Sequence, residues 1–335
     1  MTEGYAIGIT GVGAVTPAGW GVPAMLKCLR HGAPLESNSF QAQGMQKKYR
    51  LRSVPKPDNL LTLFRNPRLR RTSPVSRYLA AAAFEAMEGR SLDDFHQKGT
   101  RLGVVVSCFT GCVNYSQRFY GEVLDDPSTA SPIVFPETVF NAPSSHLSAL
   151  LGSSEMNYTL LGDDAQFLAA LELGTQWLLD DEVDAVLVAA AEESNWLSAE
   201  GLSMFTRSPI VGEGAAAILL EPCRSPEVKV ELITDSLIYK TRDSRQETLL
   251  AMRSQLPDAN TTDILFESIN EGTLWEDFRG PRINVREILG EGFGVSVAWS
   301  CAAAAGLLGS REFNSALVSG SGMDQSCAAM ILSGH

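Results

Sequence analysis

Apolar residues in this chain fall into short runs separated by Gly, Pro and polar turns. Residues 5–10 alternate apolar and polar and end at Gly11-Val12-Gly13, with Pro17 and Gly19 just beyond; residues 22–30 then follow a helical period. That pattern predicts strand, tight turn and helix. Residues 32–72 are rich in Pro, Asn and Arg without a period, which predicts a long surface excursion rather than a second domain. Pro74 opens a helix through residue 87, and its Ala-rich run implies close packing on a neighbour. Beyond it the pattern predicts a buried strand at 102–107 (LGVVVS), a helix at 142–151, a strand at 157–161, a helix at 165–179 and a strand at 184–189. The order is βαβαβ.

A weaker repeat follows. The helix at 165–179, the strand at 184–189 and the apolar run at 214–220 have counterparts at 301–309, 315–319 and 328–332. Two similar halves sharing one layered core are therefore expected, 1–224 and a shortened 225–335, with the boundary near residues 222–226. No polar linker separates them, so they read as one structural body.

The chain has 335 residues, 44% of them hydrophobic and 20% charged, enough to bury a large core. No apolar run approaches the roughly 20 residues needed to cross a bilayer. The start lacks the basic and apolar regions of a signal peptide, and a cytoplasmic protein with no membrane insertion is expected. Cys28, Cys108, Cys112, Cys223, Cys301 and Cys327 are too sparse for a disulfide framework and read as packing thiols. Cys108 and Cys112 have no neighbouring His or second cysteine pair, and His31, His96, His146 and His335 have no partners at helical spacing. No metal site and no bound cofactor are expected. Gly11-x-Gly13 lacks the third glycine of a dinucleotide fingerprint, Thr16 standing in its place.

Net charge is −12, from 27 basic and 39 acidic residues, which argues against nucleic acid as a partner. Its distribution is uneven: between Lys47 and Arg77 ten basic residues face one acid, Asp58. A basic face on an acidic body suits a compact acidic protein, while the plain alternative is a solvated loop.

Several segments carry a resemblance. Ile9 to Pro17 (ITGVGAVTP), Phe135 to Pro143 (FPETVFNAP), Asn157-Tyr158-Thr159, Val186 to Glu193 (VLVAAAEE) and Gly212 to Ala216 (GEGAA) resemble, in order and rough spacing, successive landmarks of the β-ketoacyl carrier-protein synthases. These are condensing enzymes with the thiolase-like fold. The resemblance implies an α/β fold of two duplicated βαβαβ halves in α-β-α-β-α layers, in agreement with the repeat.

The departures concern chemistry. In that family the strand matching residues 157–161 leads to the nucleophilic cysteine at a helix start, where the dipole favours a thiolate. The matching position here is Asp164, preceded by Gly162-Asp163. The family's two histidines match Glu271 and Ser300, the lysine before the second falls near Val295, and no His or Lys occurs between residues 242 and 334. Neutral donors that would stabilise an enolate are replaced by groups that do not. Trp299, beside Ser300, is expected to fill the old pocket. The glycine-rich gate matches Ser319-Gly320-Ser321-Gly322-Met323, without its phenylalanine.

Adjacent acids at a helix start are more often a cap than an acid/base pair, and Cys301, also near a helix start, reads as packing rather than as a relocated nucleophile. Phe109, Tyr115, Phe119, Phe135 and Phe140 lie in a segment that is not clearly regular. They are either core beneath a loop or, as the resemblance implies, lining of the acyl tunnel near the two-fold axis. The resemblance further implies dimerisation through Asn157, Tyr158, Thr159, Leu160 and Leu161. It also implies docking of an acidic acyl carrier protein or a partner subunit at Arg68, Arg70, Arg71 and Arg77. Phosphopantetheine would arrive only on the carrier. The function expected is that of a chain-length-factor-like partner of an active ketosynthase subunit, making polyketide or fatty-acid-like chains, with an aryl polyene as one candidate product. The alternatives are a remodelled enzyme using Asp164 and Glu271, and a carrier-protein scaffold.

Overall fold

β1 (Ala6–Thr16) continues through Gly11 and Gly13, with a register shift against its neighbour between Ile9 and Gly11, instead of turning there. A Cβ on Gly11 would lie 1.8 Å from the Ala86 carbonyl oxygen, and one on Gly13 1.9 Å from that of Ala82. Glycine stands at both positions because a helix lies directly on the strand. The expected order of strand, turn and helix holds, with the turn after Thr16 rather than at Gly11-Val12-Gly13. The chain reverses after Thr16, where β2 (Gly19–Trp20) folds back on β1, and then enters α1 (Val22–His31). The structure, a computed structural model, describes residues 5–41, 46–57, 65–87, 99–241, 243–268, 273–323 and 325–335.

The excursion at 32–72 is less irregular than its composition suggests. β3 (Asn38–Gln41) and β4 (Lys48–Arg52) pair antiparallel, and β4 lies parallel to β8 (Ile210–Gly212), which ties the excursion to the body. The Ala82 and Ala86 carbonyls belong to α2 (Pro74–Ala86).

The main sheet has two halves of the same design. In the first, β1 is followed across the sheet by β9 (Gly214–Cys223), β7 (Ala185–Glu192), β5 (Leu102–Cys108) and β6 (Asn157–Leu161). β9 is antiparallel to both neighbours, and β7, β5 and β6 are parallel. In the second, β10 (Val228–Ile233) is followed by β15 (Ser326–Gly334), β14 (Ser315–Ser321), β12 (Ile264–Glu267) and β13 (Arg282–Asn284), with β15 antiparallel and the rest parallel. Strand for strand the pattern repeats. The halves join where β1 meets β10 at Gly8 and Lys229; the short β11 (Leu237–Ile238) pairs with β15.

Between the halves lie α5 (Asp164–Leu179) and α9 (Gly294–Gly309), packed on each other and on strands of both. Their side chains, among them Phe167, Leu171, Val297 and Ala302, form the main core. α2 and α4 (Ala142–Leu151) cover the outer face of the first half, and α7 (Arg245–Ser254) covers β15 in the second. The layers are α-β-α-β-α, a thiolase-like α/β fold. α3 (Val113–Asp125), α6 (Trp196–Ser203) and α8 (Val285–Leu289) occupy the connections.

α9 starts seven residues before the expected 301. It is buried nearly all round, so it lacks the one-sided apolar stripe that reveals a helix start. Trp299 is fully buried, its indole N–H 3.1 Å from the Val15 carbonyl and 3.2 Å from that of Ala215. It pins α9 to β1 and β9, a core role rather than the filling of a pocket.

Candidate functional site

Both central helices begin at the carboxyl ends of parallel strands, the usual ligand-binding end of open α/β sheets. α5 follows β6 through Gly162, whose φ of 157° glycine alone accepts readily, and Asp163. α9 begins at Phe293, held at φ 49° and ψ −124°. The two starts face each other. A Cβ on Gly294 would sit 3.0 Å from the Gly162 carbonyl oxygen and 3.3 Å from Glu192 Oε1. The Phe293 ring stacks on Phe109, centroids 5.4 Å apart.

Asp164 is wholly buried at the first turn of α5, where the Ser268 hydroxyl and the Arg286 guanidinium donate to its Oδ2. Arg286 belongs to α8, and its Nε lies 3.3 Å from Glu291 Oε2. Burial lifts the Asp164 carboxyl to about 7; Arg286 and Ser268 pull it back, and the Glu291 charge adds to the rise. The helix start where the resemblance puts a thiolate therefore carries a carboxylate committed to an ion pair.

Neither acid caps α5 through a side-chain hydrogen bond, which corrects the expected cap. Asp163 instead accepts from the Met323 backbone N–H. A Cβ at Gly322 would fall 1.9 Å from Asp163 Oδ1, so the segment matching the family's gate lies directly against this carboxylate. Asp163 and Asp164 thus tie the first half to the second at two points.

The acids of the GEGAA and VLVAAAEE segments are structural. Glu193 accepts from Ser73 Oγ at 2.6 Å, Val75 N–H at 3.1 Å and Asn114 N–H at 2.8 Å, answering the first turns of α2 and α3. Glu213 accepts from the Ser194 N–H and the Tyr78 hydroxyl. Glu192, fully buried, accepts from the Thr110 N–H at 3.0 Å and from the Phe109 N–H; burial pushes it up to about 7 against those bonds.

Ser300 lies one and a half turns inside α9, its hydroxyl returned to the Ser296 carbonyl at 3.2 Å, and the residues at the facing helix start are Phe293 and Gly294. Val295 is fully buried in α9. Glu271 and His96 lie outside the described residues. Burial and the Asp164 charge raise the Cys301 thiol well above its ordinary range, and burial likewise raises Cys108 and Cys112.

The aromatic segment is regular where irregularity was expected: α3 spans much of it and buries no residue. Phe109, Phe135 and Phe140 are therefore not core, whereas Tyr115 packs half-buried against the outer core. Phe109, Phe135 and Phe140 are 37%, 54% and 45% exposed, Phe119 packs on Phe135, and the Tyr115 hydroxyl reaches the Arg71 carbonyl at 2.6 Å. Asn157 to Leu161 form the sheet's edge strand, with Tyr158 and Leu161 half exposed. Arg68, Arg70 and Arg71 are exposed on a 3₁₀ turn capped by Asn66, whereas Arg77 folds back onto the Thr72 carbonyl.

Reading the sequence missed Arg286, Ser268 and Glu291. The one available hint was a carboxylate at the start of an apolar helix, which calls for a buried cation somewhere. A cleft of about 800 Å³, floored in part by Ser268 and Arg286, opens beside them toward residues 204–209. No helix among the described residues is long and apolar enough to cross a membrane.

Residues 5–224 match the family model of the β-ketoacyl synthase N-terminal domain. The chain belongs to the β-ketoacyl synthase family. Among solved structures this β-ketoacyl synthase homologue resembles the ishigamide ketosynthase/chain length factor (17% identity, TM-score 0.81, 98% of this chain and 99% of that one). It also resembles a type II polyketide ketosynthase bound to the hexaketide and complexed with its acyl-carrier protein (18%, 0.78, 99% of each chain). A third is a β-ketoacyl synthase from Burkholderia phymatum STM815 (14%, 0.78, 99% and 100%). At these identities the likeness establishes the fold. Compared by sequence with curated proteins, the chain matches none.

Proposed function

We propose that this β-ketoacyl synthase homologue is a non-catalytic partner subunit, akin to a chain length factor, that stabilises an active ketosynthase and contributes wall to its acyl tunnel. The observation that carries the reading is Asp164, a buried carboxylate paired with Arg286 where a condensing enzyme needs a thiolate. A carboxylate cannot form the acyl thioester, and the chain has no histidine between residues 147 and 334 to stabilise an enolate. The open edge at Asn157–Leu161 and the exposed aromatics beside α3 suit burial against a related subunit. Two solved neighbours, a ketosynthase/chain length factor and a ketosynthase with its carrier protein, support this class of assembly. In this reading the acyl carrier protein is the second partner and brings the phosphopantetheine. The product is a polyketide or fatty-acid-like chain, an aryl polyene being the specific candidate, and the work is cytoplasmic. A hydrolase built on Asp164 is less well supported, since that carboxylate has no exposed surface and is held by Arg286 and Ser268.

Co-expression with a candidate ketosynthase tests the reading. A one-to-one complex that elongates acyl chains, beside an isolated chain inert to acyl thioesters, is expected. An isolated chain that is acylated and extends the acyl group with malonate overturns it. So does a reconstituted pair whose product length is unchanged by Phe109→Ala, Phe119→Ala and Phe140→Ala.

A further inference from the structure

The cleft beside Asp164 has a chemistry that the partner role does not use. Among the described residues four arginines line it, Arg52, Arg207, Arg245 and Arg286, with Glu287 and Glu291 as acids. Arg286 is paired with Asp164 and Glu291, yet its Nη1 is buried with no hydrogen-bond partner. Among the described residues Arg245 reaches the Ser321 hydroxyl, at 3.3 Å, and the face of the Tyr239 ring, and its Nε is buried and unpartnered. Arg52, 5% exposed, donates to two backbone carbonyls, Leu35 at 2.7 Å and Glu287 at 2.9 Å. No carboxylate among the described residues pairs with it. Arg207 stands exposed at the rim.

Scarcity of acids does not explain this. The chain carries 39 acidic residues, and Arg30, Arg101, Arg118 and Arg253 all find carboxylate partners. Arg207 and Arg245 have no carboxylate partner among the described residues, and Arg245 and Arg286 keep buried unsatisfied nitrogens, so this side of the cleft is arranged for an anion from outside. A guanidinium fork matches phosphate oxygens two at a time, so several forks around one space suit more than one phosphoryl group. Met204, Phe205 and Met323 supply apolar wall, and about 800 Å³ falls within the size range of small-molecule sites. On the far side of residues 204–209, Lys47, Lys48 and Arg50 line a second cleft and extend the positive field.

We propose that this cleft binds a small organic polyanion of the pyrophosphate class, two adjacent phosphoryl groups held by Arg245, Arg207 and the free edge of Arg286, with the organic part against Met204 and Phe205. The site shares Arg286 with the Asp164 pair but lies away from the edge strand and the aromatic face, so Arg207 and Arg245 test it without touching the partner surface.

Calorimetric titration of the full chain, alone and in complex with a condensing subunit, with inorganic pyrophosphate tests it. Saturable one-to-one binding is expected, weakened about tenfold or more by Arg207→Gln and by Arg245→Gln, each of which removes charge-assisted hydrogen bonds. Arg118→Gln, on α3 and paired with Glu122, should leave binding unchanged. Absence of saturable binding overturns the proposal, as does equal weakening by Arg118→Gln. Pyrophosphate and orthophosphate binding alike with no response to Arg207→Gln also overturns it, and Arg207 is exposed enough for that variant to fold. Binding of phosphopantetheine but not of pyrophosphate would reassign the cleft to a carrier arm. Loss of ketosynthase pairing with pyrophosphate binding intact would count against the partner reading alone.

Discussion

Removing one member of the Asp164–Arg286 pair should be far more damaging than removing both. Asp164 has no exposed surface and the Arg286 side chain only 10%, at the floor of the cleft, so each single substitution strands a largely desolvated charge. Breaking a buried pair from one side costs about 3–5 kcal/mol. Asp164→Ala should fall at the low end, because Glu291 remains 3.3 Å from the Arg286 Nε and partly compensates the guanidinium. Arg286→Met leaves a carboxylate facing only the Ser268 hydroxyl, and that carboxylate can escape by taking a proton. The two singles therefore differ in pH dependence. Above about 7, the raised value for Asp164, the wild-type folded and unfolded states bind the same number of protons at this residue. In Arg286→Met the folded state keeps a proton that the unfolded state has lost, so its deficit grows by about 1.4 kcal/mol per pH unit between pH 7 and 9. The Asp164→Ala deficit stays flat there, since a guanidinium does not deprotonate. The double variant should recover about 2 kcal/mol or more relative to the sum of the singles. Urea unfolding of the four proteins at pH 7, 8 and 9, on the isolated chain or the purified complex, measures all of this. Additive effects, or singles within about 1 kcal/mol of wild type, would refute the reasoning.

Asp164→Cys should not restore condensation, because the new thiol would be buried beside Arg286 without an imidazole; mass spectrometry after incubation with an acyl thioester and malonyl donor should show no elongated product. Glu192, raised from 4.5 to about 7, binds its proton more tightly folded than unfolded, so it makes stability fall as pH rises from about 4.5 to 7, by about 3 kcal/mol in all. Glu192→Gln removes that share of the slope, and superimposable pH–stability curves would contradict it. Gly322→Ala should destabilise the chain by about 2 kcal/mol or more, since its Cβ would fall 1.9 Å from Asp163 Oδ1; a melting temperature equal to wild type would show that the loop yields freely. Leu161→Lys on the half-exposed edge strand should abolish co-purification with a ketosynthase while leaving the chain folded, as judged by circular dichroism.

What could be read in advance follows from how each element is buried. β5, β7 and β9 are short apolar runs between turn residues, covered on both faces, and they stood out. α2 and α5 also declared themselves, α2 through Pro74 and its alanines. The start of α9 did not, because a helix buried on all sides loses the periodic contrast that marks its ends. Gly11 and Gly13 were misread for a related reason. A glycine admits a turn or a close helix with equal ease, and only the Ala82 and Ala86 carbonyls decide between them. The aromatics around α3 stayed open between core and tunnel lining, since apolar composition alone cannot distinguish a core from an exposed apolar face. At the site, Asp164 was found by alignment of motifs, but Arg286 lies 122 residues away with no local signal.

The duplicated design places a clasp where the family resemblance puts the condensing site. A condensing site at the meeting of two helix starts needs the halves held in register, yet its reactive groups must remain free to move protons and electrons. With Asp164 at the position matching the thiolate, the same junction carries permanent bonds. Asp164 spans from α5 to Ser268 and Arg286 in the second half, and Asp163 reaches the Met323 N–H. The positive end of the α5 dipole that would favour a thiolate favours the Asp164 carboxylate equally. In the partner role proposed above, a fixed edge and a fixed wall would gain from that rigidity, because pairing surfaces set in advance lose less entropy on binding. The clasp should therefore register in the assembly: Asp164→Asn, which keeps the shape and removes the charge, should weaken the complex with a ketosynthase even where the isolated chain still unfolds cooperatively. Affinity equal to wild type in that variant would mean that the halves are held by core packing alone and that the ion pair is incidental to pairing.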